Sequence, residues 1–167
     1  MPNTIENLQA AFAGESQASR KYLYFAEKAD ASGQPQVARL FRAASEAETV
    51  HARNHLNALK GIGSVEDNLK AAVSGEHAEF TEMYPGFITQ AEAEKNSAAR
   101  VSFNWANKVE QIHHALYQKA LKTVQAGNKP EIKTIYVCEK CGNTVEGDAP
   151  DYCPICGAAK AQFKKID

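Results

Sequence analysis

Several features are scarce in this sequence, and each absence excludes a class of protein. No stretch approaches the roughly 18 consecutive apolar residues that a membrane-spanning helix needs, so we expect no membrane partner. The 19 Lys and Arg residues balance 20 Asp and Glu residues, which excludes the basic excess typical of nucleic-acid partners. The amino-terminal segment lacks a basic region followed by an apolar stretch, so we expect no secretory signal and a cytoplasmic location.

Cysteine and histidine are absent from opposite parts of the chain. The first 133 residues contain no cysteine but hold all five histidines, whereas the last 34 contain all four cysteines and no histidine. Because the two parts offer different ligand chemistry, the sequence predicts two domains, at residues 1–133 and 134–167. Residues 127–130, Gly-Asn-Lys-Pro, are the predicted linker.

Apolar residues recur at helical spacing through the first part of the chain. This periodicity, with Asn3, Ser64 and Ser97 as caps, predicts helices at about 4–31, 35–60, 64–94 and 97–127. Pro85 lies inside the third helix and predicts a kink at residues 84–86. Short loops favour antiparallel neighbours, so we expect a mainly α fold, a four-helix bundle. The tail should be a small β domain with strands near 134–137 and 162–166.

Carboxylates and imidazoles occur in a repeated pattern on the four predicted helices. Two Glu-x-x-His motifs are formed by Glu48, His51, Glu110 and His113. Residues three apart share a helix face, so each motif directs two ligands at one point. The remaining helices supply Glu15 and Glu76. The two motifs are 62 positions apart, which suggests that one helix pair is duplicated, each copy offering a lone Glu and then Glu-x-x-His.

This pattern is the ligand set of ferritin-like di-iron and di-manganese bundles. Four carboxylates facing one another in a bundle core would repel and resist desolvation, whereas two divalent cations would offset their charge. Carboxylate oxygen with imidazole nitrogen suits iron or manganese. The alternative is a set of solvated glutamates on amphipathic helices, which two matched motifs with matched partners disfavour.

Other residues near these motifs have weaker signals. Glu79 lies one turn from Glu76, either as a fifth ligand or as a surface residue. Tyr22 and Tyr84 either donate hydrogen bonds to the ligating carboxylates or pack as plain core aromatics. Trp105 is predicted to pack in the core. We expect three histidines to be solvated or to cap helices rather than bind metal: His55, His77 and His114.

The four cysteines form two knuckles of identical spacing, Cys138 with Cys141 and Cys153 with Cys156. C-x2-C repeated in this way predicts a metal site, and a reducing compartment disfavours the alternative of disulfides. Zinc would make a closed structural site, whereas iron would carry one electron, and the spacing does not separate them. Either metal would stabilise a tail too small for a large core.

Together these segments resemble the rubrerythrin family, in which a ferritin-like di-iron bundle precedes a rubredoxin-like module. The resemblance covers nearly the whole chain. It is carried by AFAGESQA at 11–18, by GEHAEFTEMYP at 75–85, by both Glu-x-x-His motifs and by both cysteine knuckles.

The resemblance implies a role for each ligand residue. Two glutamates would bridge the irons, Glu48 and Glu110. One iron would take Glu15 and His51, and the other would take Glu76 and His113. In the oxidised site, Glu79 would replace His51 on the first iron. A single iron would be held by Cys138, Cys141, Cys153 and Cys156.

The resemblance also implies an activity. Family members reduce hydrogen peroxide to water with electrons from a reduced-nicotinamide-dependent reductase or a rubredoxin, as a defence against oxidative stress. They often form homodimers, in which the tail iron of one subunit lies nearest the di-iron site of the other. Two alternatives remain open: a ferroxidase or oxygen-scavenging bundle, and a non-enzymatic helical adaptor with a structural zinc ribbon.

Overall fold

The computed structural model describes residues 2–167 and divides them into two units, a first that ends at Gly63 and a second, Ser64–Asp167. The first unit is a pair of antiparallel helices, α1 (Thr4–Ala31) and α2 (Pro35–Ala58), joined by a turn in which Gly33 has a φ of 69°. Helix α1 has the predicted bounds, and α2 ends two residues earlier than predicted. Asn3 and Glu6 form a reciprocal capping box that starts α1.

Small side chains line the interface between the two helices of the first unit. Ala26, Ala29 and Ala38 are buried together, with Phe41 packed against them. The Ser45 hydroxyl donates a 2.7 Å hydrogen bond to the carbonyl of Ser19 across the interface. The helices therefore approach closely, and several larger apolar residues of the pair are exposed, among them Phe25, Leu40 and Val50.

The second unit contains the other two long helices. Residues 65–93 form one helix in three segments: α3 (Val65–Ala78), a π-helical segment (Glu79–Met83) and α4 (Tyr84–Ala93). Helix α5 (Ser97–Gln125) follows after a short turn. The predicted irregularity at Pro85 lies one turn earlier, because Pro85 occupies the second position of α4 and the widened π segment precedes its ring.

Two helix starts in the second unit are set by side-chain caps. The Ser64 hydroxyl accepts a hydrogen bond from the N–H of Asp67, as predicted. The cap of α5 is Asn96, whose side chain accepts from the N–H of Ala99. The prediction that Ser97 caps this helix was wrong, because Ser97 is already its first helical residue.

The tail of the second unit is a three-stranded antiparallel sheet of order β2-β1-β3, with strands β1 (Ile135–Cys138), β2 (Thr144–Glu146) and β3 (Phe163–Ile166). The first and third strands were predicted to within one residue at either end, and β2 was not predicted. The small core consists of Cys138, Ala149, Cys153, Ala158 and Phe163. None of the helices formed by residues 2–167 is long and apolar enough to span a membrane.

Candidate metal centres

The first unit brings together Glu15, Glu48 and His51, whose ligand atoms lie within 4.8 Å of one another. Glu48 and His51 are three residues apart on α2, and Glu15 faces them from α1. The Nδ1 atom of His51 lies 2.8 Å from Oε2 of Glu48. These three residues offer two carboxylates and one imidazole to one point, which suits a divalent transition metal.

The second unit repeats the arrangement with Glu76 on α3 and with Glu110 and His113 on α5, again within 4.8 Å. The Nδ1 atom of His113 lies 2.8 Å from Glu110 Oε2 and 3.7 Å from Glu76 Oε2. We name these sets the first triad and the second triad. They have the same composition, and both histidines present Nδ1 to the carboxylates.

The second triad is electrostatically costly without a cation. Burial, together with the neighbouring Glu110, raises the pKa of Glu76 above its usual value. Burial and Glu76 likewise raise the pKa of Glu79, which begins the π-helical segment. A cation would favour the charged form of these carboxylates, so this donor set fits a bound metal.

The two tyrosines considered from the sequence have different surroundings. Burial raises the pKa of Tyr84, and the carboxylates of Glu110, Glu79 and Glu76 raise it further. The Tyr84 phenol therefore stays protonated beside the second triad, where it can donate to a carboxylate. Tyr22 is half-buried, and its ring lies near those of Phe25 and Phe41 at centroid distances of 6.2 and 6.1 Å.

Thr144 of strand β2 contacts Nε2, the second nitrogen of the His113 ring. Its Oγ1 lies 2.9 Å from Nε2 of His113 and 3.1 Å from the carbonyl oxygen of Gly142. Because the threonine hydroxyl donates to that carbonyl, its oxygen accepts from the Nε2–H of His113. The Nδ1 lone pair then faces the carboxylates, as a metal ligand requires. Sequence reasoning missed Thr144, and no spacing signal pointed to it.

The four cysteines place their Sγ atoms within 4.8 Å of one another, and all four are free thiols. Burial raises the pKa of Cys141. Burial opposes ionisation of Cys153 too, but the backbone N–H groups of Cys156 and Ile155 lower its pKa to about 7. Asn143, almost fully buried, directs its Nδ2 at the Cys153 sulfur over 3.6 Å. This pocket is built to hold thiolates on one metal.

The remaining candidates lie outside both triads. His114 is half-buried rather than solvated, with Nδ1 3.0 Å from the Val73 carbonyl. Its ring lies 5.4 Å from the rings of His77 (tilted) and Phe80 (edge-on), measured between centroids. Trp105 is half-buried, and the Lys140 ammonium lies 5.6 Å above its ring. His55 lies in the last turn of α2, where its carbonyl accepts from the N–H of Leu59.

Comparison with known proteins matches both parts of the chain to one family. The family model described as rubrerythrin matches residues 6–121, and the model of the rubrerythrin rubredoxin-like domain matches residues 136–164. Rubrerythrin-2 of Clostridium acetobutylicum is 34% identical over 175 residues, covering 96% of this chain and 95% of that protein. Rubrerythrin of Porphyromonas gingivalis is 34% identical, covering 98% and 90%.

A solved structure of fully reduced, all-ferrous nigerythrin is 33% identical, with a TM-score of 0.58 over 99% of this chain and 88% of that one. The mainly helical fold with its four-cysteine sheet domain agrees with that structure. The family match, the carboxylate–histidine triads and the cysteine cluster show that the chain belongs to the rubrerythrin family, with a ferritin-like di-iron part and a rubredoxin-like iron site.

Proposed function

We propose that this protein is a peroxidase that reduces hydrogen peroxide to water at two irons held by the two triads. The observation that carries the proposal is the matched composition of the triads, each with two carboxylates and one imidazole around one point. In the oxidised site, Glu79 would replace His51 on the iron of the first triad. The proposed division assigns residues 1–133 to the di-iron bundle and 134–167 to the module that supplies its electrons.

The residue set suits a two-electron reduction. Two ferrous ions, when bound, supply the two electrons that cleave the O–O bond of peroxide, and two protons complete two molecules of water. Four carboxylates balance the charge of two divalent ions. The two histidines contribute neutral ligands whose ring orientation is fixed in the second triad by Thr144.

In this proposal, the groups beside the second triad deliver the protons. Tyr84 keeps its phenolic proton because burial and three carboxylates raise its pKa. It therefore donates a hydrogen bond close to the reacting oxygens without competing as an anion. Glu79, at the start of the π-helical segment, would carry a proton or bind metal, and π-helical segments occur frequently at functional sites.

Electrons enter through the cysteine cluster in this proposal. Within the second unit, hydrogen bonds run from His113 to Thr144 and from Thr144 to the Gly142 carbonyl, one residue from Cys141. This short bonded path joins a ligand of the second triad to a cysteine knuckle. A reduced-nicotinamide-dependent reductase or a rubredoxin would reduce the thiolate-bound iron, one electron at a time.

The test is a coupled assay with iron-loaded protein, a reductase and reduced nicotinamide nucleotide. We expect rapid nucleotide oxidation when peroxide is added anaerobically and a much slower rate with oxygen alone. Faster turnover with oxygen than with peroxide would contradict the proposal and favour oxygen scavenging. Net oxidation of added ferrous ion, with the cysteine site playing no part, would indicate a ferroxidase.

A further inference from the structure

We propose that the cleft between α3 and α5 contains a further metal site, in which His77 and His114 bind a divalent transition metal such as zinc. The site is separate from both triads and from the cysteine cluster, and it does not rest on the proposed peroxidase activity. Its metal would connect the two helices that carry the second triad.

The two helices place similar side chains in this cleft, which has a volume of about 480 Å³. Ser74 and His77 line it from α3 and are three residues apart. His114 and Gln118 line it from α5 and are four residues apart. Residues at these spacings lie on one face of a helix. Each helix therefore contributes one imidazole and one side chain with an oxygen atom to the same space.

The separation of the two imidazoles suits a single ion. The ring centroids of His77 and His114 lie 5.4 Å apart, and the ring planes are inclined at 50°. A zinc ion lies about 2.0–2.1 Å from an imidazole nitrogen and about 3.2 Å from the ring centre, so two imidazoles at a tetrahedral angle have their centres about 5.2 Å apart. The observed separation is close to this value. The two helices therefore need not change their spacing for both rings to reach one metal.

A hydrogen bond to the backbone leaves His114 with a nitrogen that can bind metal. Its Nδ1 lies 3.0 Å from the carbonyl oxygen of Val73, and a carbonyl oxygen only accepts. Nδ1 therefore carries the hydrogen, and Nε2 of the neutral ring keeps its lone pair. A metal-bound histidine almost always donates its other N–H to a carboxylate, a backbone carbonyl or water. His114 already has this arrangement, as His113 has through Thr144.

Phe80, in the π-helical segment, packs against both imidazoles. Its ring centroid lies 5.2 Å from that of His77 and 5.4 Å from that of His114, with an edge-to-face orientation in both cases. An apolar ring beside each imidazole restricts its rotamers, so less side-chain entropy is lost when a metal binds. This packing favours a preorganised pair of ligands over two independent surface histidines.

The charges around the cleft indicate which class of metal it would bind. Among residues 2–167, none of those that line the cleft is acidic, which disfavours calcium and magnesium because these ions need several oxygen ligands. Imidazole nitrogen suits zinc, copper and nickel. Lys70 also lines the cleft, but its ammonium lies 2.8 Å from Oε1 of Glu66, and this ion pair offsets its charge. Water, the Ser74 hydroxyl and the Gln118 amide oxygen are available to complete the coordination.

A metal in this cleft would lie at the same level of the helices as the second triad. His77 follows Glu76 on α3, and His114 follows His113 on α5, so each proposed ligand is about 100° around its helix from a triad residue. An ion bound to both imidazoles would oppose separation of α3 from α5. It would therefore stabilise the helix pairing on which the second triad depends.

Equilibrium dialysis of the iron-loaded, oxidised protein against zinc tests the proposal, with both metals counted by atomic spectrometry. We expect the native chain to bind one zinc ion per chain and to lose no iron. His77→Ala should bind that zinc at least about 10-fold more weakly, because even the outer partners of a metal ligand contribute this much affinity. His77 is exposed, so this variant should keep its fold and its thiolate-iron absorbance. His55→Ala, on α2, is the matched control and should bind zinc as the native chain does.

Copper in place of zinc identifies the ligands directly. The electron paramagnetic resonance spectrum of bound Cu²⁺ should show couplings to two imidazole nitrogens in the native chain and to one in His114→Ala. Equal zinc affinity in the native chain and His77→Ala would overturn the proposal, as would zinc uptake matched by an equal loss of iron. Two nitrogen couplings in His114→Ala would also overturn it. Neither readout involves peroxide, so a failure of the peroxidase proposal would leave this test unaffected.

Discussion

The two triads share their ligands but differ in what supports them. The His51 side chain is 54% exposed and lies beside Glu48, whereas His113 is 30% exposed and has a neighbour at each ring nitrogen, Glu110 at Nδ1 and Thr144 at Nε2. The second triad also has Glu79 and Tyr84 beside it. The same motif therefore yields one loosely held histidine and one fixed histidine. This difference fits the proposal that His51, and not His113, gives way to Glu79 when the irons are oxidised.

Glu110→Ala tests whether the triads act as a pair, and it should have the largest effect. The proposed site uses Glu110 as a metal ligand, so we expect peroxide turnover to fall by more than about 100-fold. The thiolate-iron absorbance should remain, because the cysteine cluster does not use Glu110. Glu92→Ala, an exposed glutamate on α4, is the control and should leave turnover unchanged. Equal activity in the two variants would reject the ligand assignment.

Cys153→Ser separates the two functions of the second unit. Cys153 is buried in the tail core, so this variant should lose the thiolate iron and the order of the sheet. We expect reductase-driven turnover to disappear. Chemically reduced protein should still consume one equivalent of peroxide per di-iron site, as measured by rapid mixing. Lys165→Ser, on an exposed position of β3, should retain both reactions. Normal reductase-driven turnover without thiolate iron would show that electrons enter elsewhere.

Thr144→Val removes from the second triad the contact to Nε2 of its histidine. Loss of the hydroxyl removes the acceptor for the Nε2–H of His113, and losses of such partners typically cost 10- to 100-fold in metal affinity or activity. We expect faster release of bundle iron to a chelator, together with slower transfer of electrons from the thiolate iron. Thr123→Val, whose hydroxyl bonds within α5, is the matched control. Unchanged iron release would mean that Thr144 has no part in holding the histidine.

Substitutions of the helix caps also compare the two units, and we expect them to have the smallest effects. Asn3→Ala removes a reciprocal capping box from α1, and Asn96→Ala removes a single cap from α5. Each should lower the free energy of unfolding by about 1 kcal/mol, as measured by chemical denaturation. Ser97→Ala should change little, since Ser97 is not the cap. A larger loss for Ser97→Ala than for Asn96→Ala would contradict the assigned start of α5.

Local patterns predicted most of the helices, because caps and apolar periodicity act over a few residues. Helix α1 began and ended where Asn3 and the turn at Gly33 indicated. The grouping of Glu48 with His51, and of Glu110 with His113, also follows from the 3.6-residue repeat. These features need no knowledge of the rest of the chain.

Features that depend on distant contacts could not be predicted. Thr144 lies 31 positions from His113, and nothing in its neighbourhood marks it as a partner of a metal ligand. The bond from His114 to the Val73 carbonyl is likewise set by the packing of α5 on α3. Pro85 indicated that this helix is irregular, but the predicted kink lies one turn after the π-helical segment. Strand β2 was missed because three residues beside a cysteine turn carry too little pattern.

The most direct test of peroxide reduction is an anaerobic titration of the fully reduced, iron-loaded protein with hydrogen peroxide, followed by absorbance. The account predicts that the first equivalent per di-iron site oxidises that site by two electrons and yields only water. When peroxide is added beyond that point, the absorbance of the oxidised thiolate iron appears. Failure of peroxide to oxidise the di-iron site, with rapid oxidation on admitting oxygen, would contradict the account.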